Sequence, residues 1–317
     1  MLHDLLPLEA EAPRCSDFAR SIELLPPGTG LHLQRVILVS VPLPWPKPAL
    51  GHHWLTGAMP FVNQSSISSR VFAMEPIGQD VNLEVYERTP TGAERHQWWI
   101  QAPEHIPRAL SVIAATGIGD LQHLKVEHAV LRSSGTSPAT FLICTQGSHD
   151  LCCGDSGVRF ADQIVRERPS CAVRRVSHTG GHRFSPTLLA FPEGRMWAFA
   201  DLDLADRILT NTVSATDYRT RCRGWWGAKV GPAQVAETAV RCELAPSSDS
   251  CDSTTTVDLI ADAAEVKEYY VTVGSRKWRV HVTIGRQVPS IACESPGGLP
   301  AKPGREYSWH TSYEGDK

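Results

Sequence analysis

Several signals that would assign a function at once are missing from this 317-residue chain. It has no Cys-x-x-Cys pair, which argues against ordinary thioredoxin-type dithiol chemistry. No apolar run reaches the roughly 20 residues of a membrane-spanning helix. No Lys/Arg block occurs, and a formal net charge of -3 leaves no electrostatic footprint for nucleic acid. Neither a P-loop nor a dinucleotide fingerprint is present, and Gly28-Thr-Gly30 is too short to be either. The first residues lack a basic region ahead of an apolar one, so no secretory leader is expected and the protein reads as cytoplasmic.

What is present is ordinary for a globular chain: 42% hydrophobic and 21% charged residues, enough length for two domains, and 23 prolines that imply many turns. Nine cysteines is an odd count in a chain with no sign of export, which favours free thiols with a metal or cluster site over a disulfide framework.

Hydrophobic patterning divides the chain into an N-terminal α/β part (1–106), a central α/β part (107–243) and a polar linker with a β-hairpin and a flexible tail (244–317). In the first part a short helix is expected at 14–22. Strands are expected at Arg35–Val41, Arg70–Met74, Asn82–Tyr86 and His96–Ile100, the last two as a hairpin across Thr89–Gly92. In the second, strand Thr140–Cys144 precedes a helix over 157–168 with Val158, Ala161, Ile164 and Val165 on one face. Strand Ala172–Ser177, hairpin Thr187–Phe191/Met196–Ala200 and a helix from Asp203 follow. Strand, helix, strand, hairpin, helix is the order of a thioredoxin-like half, and the N-terminal part repeats strand, connection, strand and hairpin. A helix is expected at Ala233–Val240, a polar linker at 245–256 and a hairpin at Glu268–Val273/Trp278–Ile284. The last twenty-odd residues are Pro/Gly-rich and read as poorly ordered.

Chemistry concentrates in the central part. Cys144 and Cys153 are separated by eight residues, His178 and His182 by three; Cys144 and His178 fall where strands end, the place where ligands collect in α/β sheets, with Cys153 in the loop before the helix and Gly180-Gly181 returning His182 to the same side. Two thiolates and two imidazoles suit zinc or a Rieske-type [2Fe–2S] cluster; eight intervening residues argue against a zinc finger. Cys242 and Cys251 share the eight-residue spacing but flank a polar linker and lack a histidine pair. Cys15, Cys171, Cys222 and Cys293 read as ordinary small residues, His149 as a loop residue, and Trp98-Trp99 and Trp225-Trp226 as core or contact aromatics.

The run Cys144-x8-Cys153-Gly154-x-x-Gly157 with Val176-Ser-His178-Thr-Gly-Gly-His182-Arg-Phe resembles the sucrase/ferredoxin-like family. Arg14-Cys-Ser-Asp, Pro44-Trp45 and Gln234-Val-Ala-Glu237 extend the resemblance across most of 14–243. It implies a thioredoxin-like ferredoxin domain whose [2Fe–2S] cluster is held by Cys144, Cys153, His178 and His182. It departs at Cys152, where a basic residue is expected, and at the missing Arg before Asp150, so Cys152 stands as an alternative ligand to Cys153. The family's name suggests sucrose cleavage, but no pair of glycosidase carboxylates is evident, and no catalytic residue is assigned. The expected role is an electron carrier with a reductase and an acceptor as partners. Two neutral imidazoles in place of thiolates imply a high potential and proton coupling through the free ring N–H groups. The alternatives are a thiol oxidoreductase or peroxidase using Cys152 or Cys153, and an interaction protein with a structural Zn2+ site.

Overall fold

The computed structural model describes residues 5–245 and 254–316, which form a ten-stranded mixed sheet and a separate four-stranded antiparallel sheet. One pairing pattern occurs twice in the large sheet. In the first instance β1 (Arg35–Ser40) lies parallel to β2 (Ser69–Met74) and antiparallel to β3 (Val81–Thr89), which turns back into β4 (Gly92–Ile100) beside edge strand β5 (Ala129–Thr136). In the second, β6 (Thr140–Cys144) lies parallel to β7 (Ala172–Val176) and antiparallel to β8 (Leu188–Phe191), followed by β9 (Arg195–Trp197) and β10 (Cys222–Trp225). The two halves join where Met74 of β2 faces Val176 of β7. The order is β10-β9-β8-β6-β7-β2-β1-β3-β4-β5. The fold is α/β.

Strand β1 shows why the joined sheet is stable. All six of its residues are buried, and side chains alternate between faces. Ile37 and Val39 enter a core beneath helix α3 (Ile106–Ala115), whereas Val36 and Leu38 enter one shared with Leu142, Val176 and Leu189 of the second half. Each fully buried aliphatic side chain contributes about 1.5–3 kcal/mol relative to exposure. A near-continuous apolar run is therefore what two covered faces demand.

Helix α1 (Cys15–Ser21) lies where expected, and α2 (Met59–Gln64) precedes β2. Helix α4 (Val158–Glu167) buries Phe160, Ala161 and Ile164, while Val165 is 52% exposed, so the expected face is corrected by a rotation that puts the larger Phe160 inward. Helices α5 (Leu202–Leu209) and α6 (Ala215–Arg221) cover the second half, and α7 (Pro232–Leu244) packs against the small sheet through Val235, Ala236, Ala239 and Val240.

The small sheet comprises β11 (Thr255–Asp262), β12 (Val266–Val273), β13 (Arg276–Ser290) and β14 (Lys302–Asp316), in that order. The expected poorly ordered tail is corrected here: β14 pairs with β13 over most of its length. Tyr307 and Trp309 alternate inward onto the core around α7, and Pro303 is tolerated because β14 is an edge strand. Of the expected polar linker, 246–253 lie outside the described residues, and Thr255-Thr256 already belong to β11.

Candidate metal centre

Two parallel strands bring the central motif together. Cys144 ends β6 directly opposite Val176 of β7, so Cys144 and the segment carrying His178 leave the sheet at the same edge. After Cys144 the chain loops to a wide π-type turn, Cys153–Gly157, that leads into α4. Two glycines allow that turn to sit close: a Cβ on Gly157 would run into the Cys144 carbonyl oxygen, and one on Gly154 into Gly147 Cα. On the other side Gly180 and Gly181 take φ values of +86° and +71°, which return the chain so that His182 faces back toward His178. Gly157→Ala is expected to cost about 1–3 kcal/mol by overpacking against backbone that cannot yield. Urea denaturation of the variant measures it; an unchanged midpoint would mean the turn can shift.

The sulfur atoms of Cys144 and Cys153 and a ring nitrogen of His178 lie within 4.8 Å of one another, with Cys144 Sγ 4.0 Å from His178 Nδ1. Both thiols are 1% exposed, whereas His178 and His182 are only half-buried. Cys144 is held well below the usual thiol range, first by the hydrogen bond from Cys153 and then by His178, while the same bond and burial push Cys153 up. His182 is not in this trio. Its ring lies 6.0 Å from that of His178, centroid to centroid, and its Nδ1 is 2.9 Å from Asp150 Oδ2 and 3.1 Å from Cys15 Sγ.

Cys152 also separates from Cys153. Although adjacent in the chain, its sulfur points to a second group made with Cys15, Cys293 and Asp150, whose ligand atoms are again within 4.8 Å of each other. The sequence missed this group because its members are up to 278 residues apart, and only Arg14-Cys-Ser-Asp carried any signal for Cys15. Cys15 is buried and Cys293 half-buried, as expected of small residues, and both belong to this group. Cys152 is lowered to about 5, chiefly by the hydrogen bond from Cys15, with Ser16 Oγ donating from 3.3 Å. Of the decoy pair, Cys242 contacts Ala215 O at 3.5 Å, and Cys251 lies outside the described residues.

Several residues frame the first trio. Gln146 Oε1 accepts from His178 N at 3.0 Å, and its Nε2 donates to Pro46 O at 2.7 Å. Ser148 Oγ donates to Trp45 O at 2.8 Å, so the Pro44-Trp45 segment braces the loop between the cysteines. His149 stacks on His178 with ring centroids 3.6 Å apart; burial, then the charge of His178, lower it to about 4. Arg223 is fully buried and spans the site, donating to Gly180 O at 3.0 Å and Thr29 O at 2.6 Å. Burial, then the charge of Arg183, lower it to about 10. Neither guanidinium has a carboxylate partner among the described residues, and Arg183 Nε is a buried donor without an acceptor. Arg223, a buried cation that faces Cys144 and Cys153 without a carboxylate partner among the described residues, suits a site that carries negative charge. The two enclosed sulfurs and the His178 imidazole form a donor set that could hold a metal ion.

Comparison with known proteins agrees in part. Neither a curated protein nor a solved structure matches the chain. A family model described as sucrase/ferredoxin-like matches residues 27–237, about two thirds of its length, spanning both halves of the large sheet and the whole Cys144–His182 stretch. The chain therefore belongs to the sucrase/ferredoxin-like family.

Proposed function

We propose that Cys144, Cys153, His178 and His182 hold a [2Fe–2S] cluster and that the protein is an electron carrier. The observation that carries this reading is the convergence of Cys144, Cys153 and His178 within 4.8 Å, with His182 alongside. Such a cluster supplies one-electron chemistry. The chain's own contribution is enclosure and charge. The thiols are sealed under the Cys153–Gly157 turn, Arg223 offsets the sulfurs' negative charge, and the half-exposed imidazoles offer the shortest approach to a redox partner. Asp150 accepts from His182 Nδ1 and so orients the ring. A reductase and an acceptor complete the proposal.

Protein purified without oxygen should be red-brown, contain about two irons and two sulfides per chain, and bleach on reduction. Cys144→Ser should lose at least nine tenths of the iron. Colourless wild-type protein would end the reading. A single zinc ion is the second reading, favoured by the compactness of the Cys144–Cys153–His178 trio; it predicts one zinc at this trio that leaves with Cys144→Ser. The thiol-enzyme reading is disfavoured by access, because Cys152 is 0% and Cys153 1% exposed.

A further inference from the structure

The second thiol group lies where three distant parts of the chain meet. Cys15 comes from α1, Asp150 and Cys152 from the loop between β6 and α4, and Cys293 from the connection between β13 and β14. Cys15 and Cys152 are fully buried, and the Asp150 side chain is 7% exposed. Cys15 Sγ is 3.5 Å from Cys152 Sγ, which is 3.2 Å from Cys293 Sγ. Asp150 Oδ1 is 3.7 Å from Cys15 Sγ. With metal–sulfur and metal–oxygen bonds of about 2.3 and 2.1 Å, the edges of a tetrahedral ion's coordination shell are about 3.6–3.8 Å. Of the observed separations, the 3.7 Å between Cys15 and Asp150 falls within that range, and the sulfur–sulfur distances of 3.5 and 3.2 Å are shorter than a metal-bound edge. Hydrogen bonds from thiols are weak, so by themselves they give three sulfurs and a carboxylate little reason to crowd together.

We propose that Cys15, Cys152, Cys293 and Asp150 form a structural zinc site, separate from Cys144, Cys153, His178 and His182. Three thiolates with a carboxylate, all within 4.8 Å of one another, select zinc over magnesium or calcium, which take oxygen ligands, and over the larger spread of an iron–sulfur cluster. The surroundings are organised as a supporting shell. Ser16 Oγ donates to Cys152 Sγ, Cys152 N donates to Asp150 Oδ1 at 2.9 Å, and Asp150 Oδ2 takes the His182 ring. Arg14 ties the same three segments together by pairing with Asp155 and with Glu294, the residue after Cys293. A cleft of about 560 Å3 bordered by Asp150, His182, Cys293 and Lys302 gives an ion a route in. The zinc would staple α1 and the β13–β14 connection to the loop that carries Cys153, fixing Asp150 and through it His182.

The test uses the full chain, produced with zinc and iron in the medium and purified without oxygen. Both metals are assayed in the unaltered protein, Cys293→Ser and Cys144→Ser. The expected result is one zinc per chain, falling at least tenfold in Cys293→Ser and persisting in Cys144→Ser. Zinc-edge X-ray absorption of the unaltered protein needs no variant and should read three sulfurs near 2.3 Å and one oxygen at about 2.0–2.2 Å. Loss of zinc with Cys144→Ser but not Cys293→Ser, a two-sulfur two-nitrogen shell, a zinc-free protein, or a Cys152–Cys293 disulfide found by peptide mapping would each overturn the proposal. The cluster reading stands or falls on iron and sulfide, so the two can fail independently.

Discussion

On the proposed [2Fe–2S] site, His178→Cys should yield a protein that still binds iron and sulfide but is reduced at a potential lower by on the order of 100–300 mV. The substitution exchanges a neutral donor for a thiolate, making the loaded site about one charge more negative and an added electron less welcome. Sites with four thiolates lie near about -400 mV, and those with two imidazoles from about -150 to +300 mV, so one exchange should cross a large part of that interval. The backbone at this position is held independently of the imidazole, because His178 N donates to Gln146 Oε1 and Gly180 O accepts from Arg223. A cysteine there therefore starts from the same place. A potentiometric titration followed by visible absorption makes the measurement. An unchanged potential would mean that His178 is not a ligand; a variant devoid of iron would mean that the sulfur cannot reach.

The prediction could be framed from sequence because the relevant information is local. Cys144 ends one strand and His178 follows the adjacent parallel one, while Cys153 opens the turn before the next helix, and strand ends are marked by where apolar runs stop. Alternation and continuity of apolar residues also located β1 to β4 and β6 to β9, which are buried on at least one face. Strand β5 escaped because Arg132-Ser-Ser-Gly135 lies on an exposed edge and carries no hydrophobic period. Strand β14 escaped for a related reason: its prolines and glycines read as disorder, while its stability comes from pairing with β13 and from Tyr307 and Trp309 on the α7 core. The direction of the Cys152 side chain was illegible too. Neighbours in a wide helical turn point to different sides, so Cys152 and Cys153 serve different groups, a distinction that depends on Cys15 and Cys293 arriving from opposite ends of the chain.

Glu237→Gln should be the most damaging single substitution away from the candidate metal centre, lowering stability at neutral pH by about 3–5 kcal/mol. The Glu237 carboxylate is fully buried on α7. It accepts from Arg195 Nη1 and Nη2 at 2.8 and 2.7 Å and from Arg241 Nε at 2.8 Å. Arg195 is itself 2% exposed, on β9, so this network bolts α7 to the strand beside β8. Glutamine keeps the shape but turns an acceptor into a donor facing a guanidinium and leaves the buried Arg195 charge with only the more distant Glu193 carboxylate, 3.7 Å away. Burial pushes the carboxyl up, but Arg195 and Arg241 outweigh it and bring Glu237 from 4.5 down to about 2. A depressed carboxyl contributes stability that is fully present above its unfolded value and lost as pH falls through the folded one. The deficit of the variant should therefore be constant above about pH 5 and shrink between about pH 4.5 and 2, as the wild type protonates and comes to resemble it. Urea midpoints across that range make the comparison. A deficit independent of pH would show that Glu237 acts through shape and not through charge.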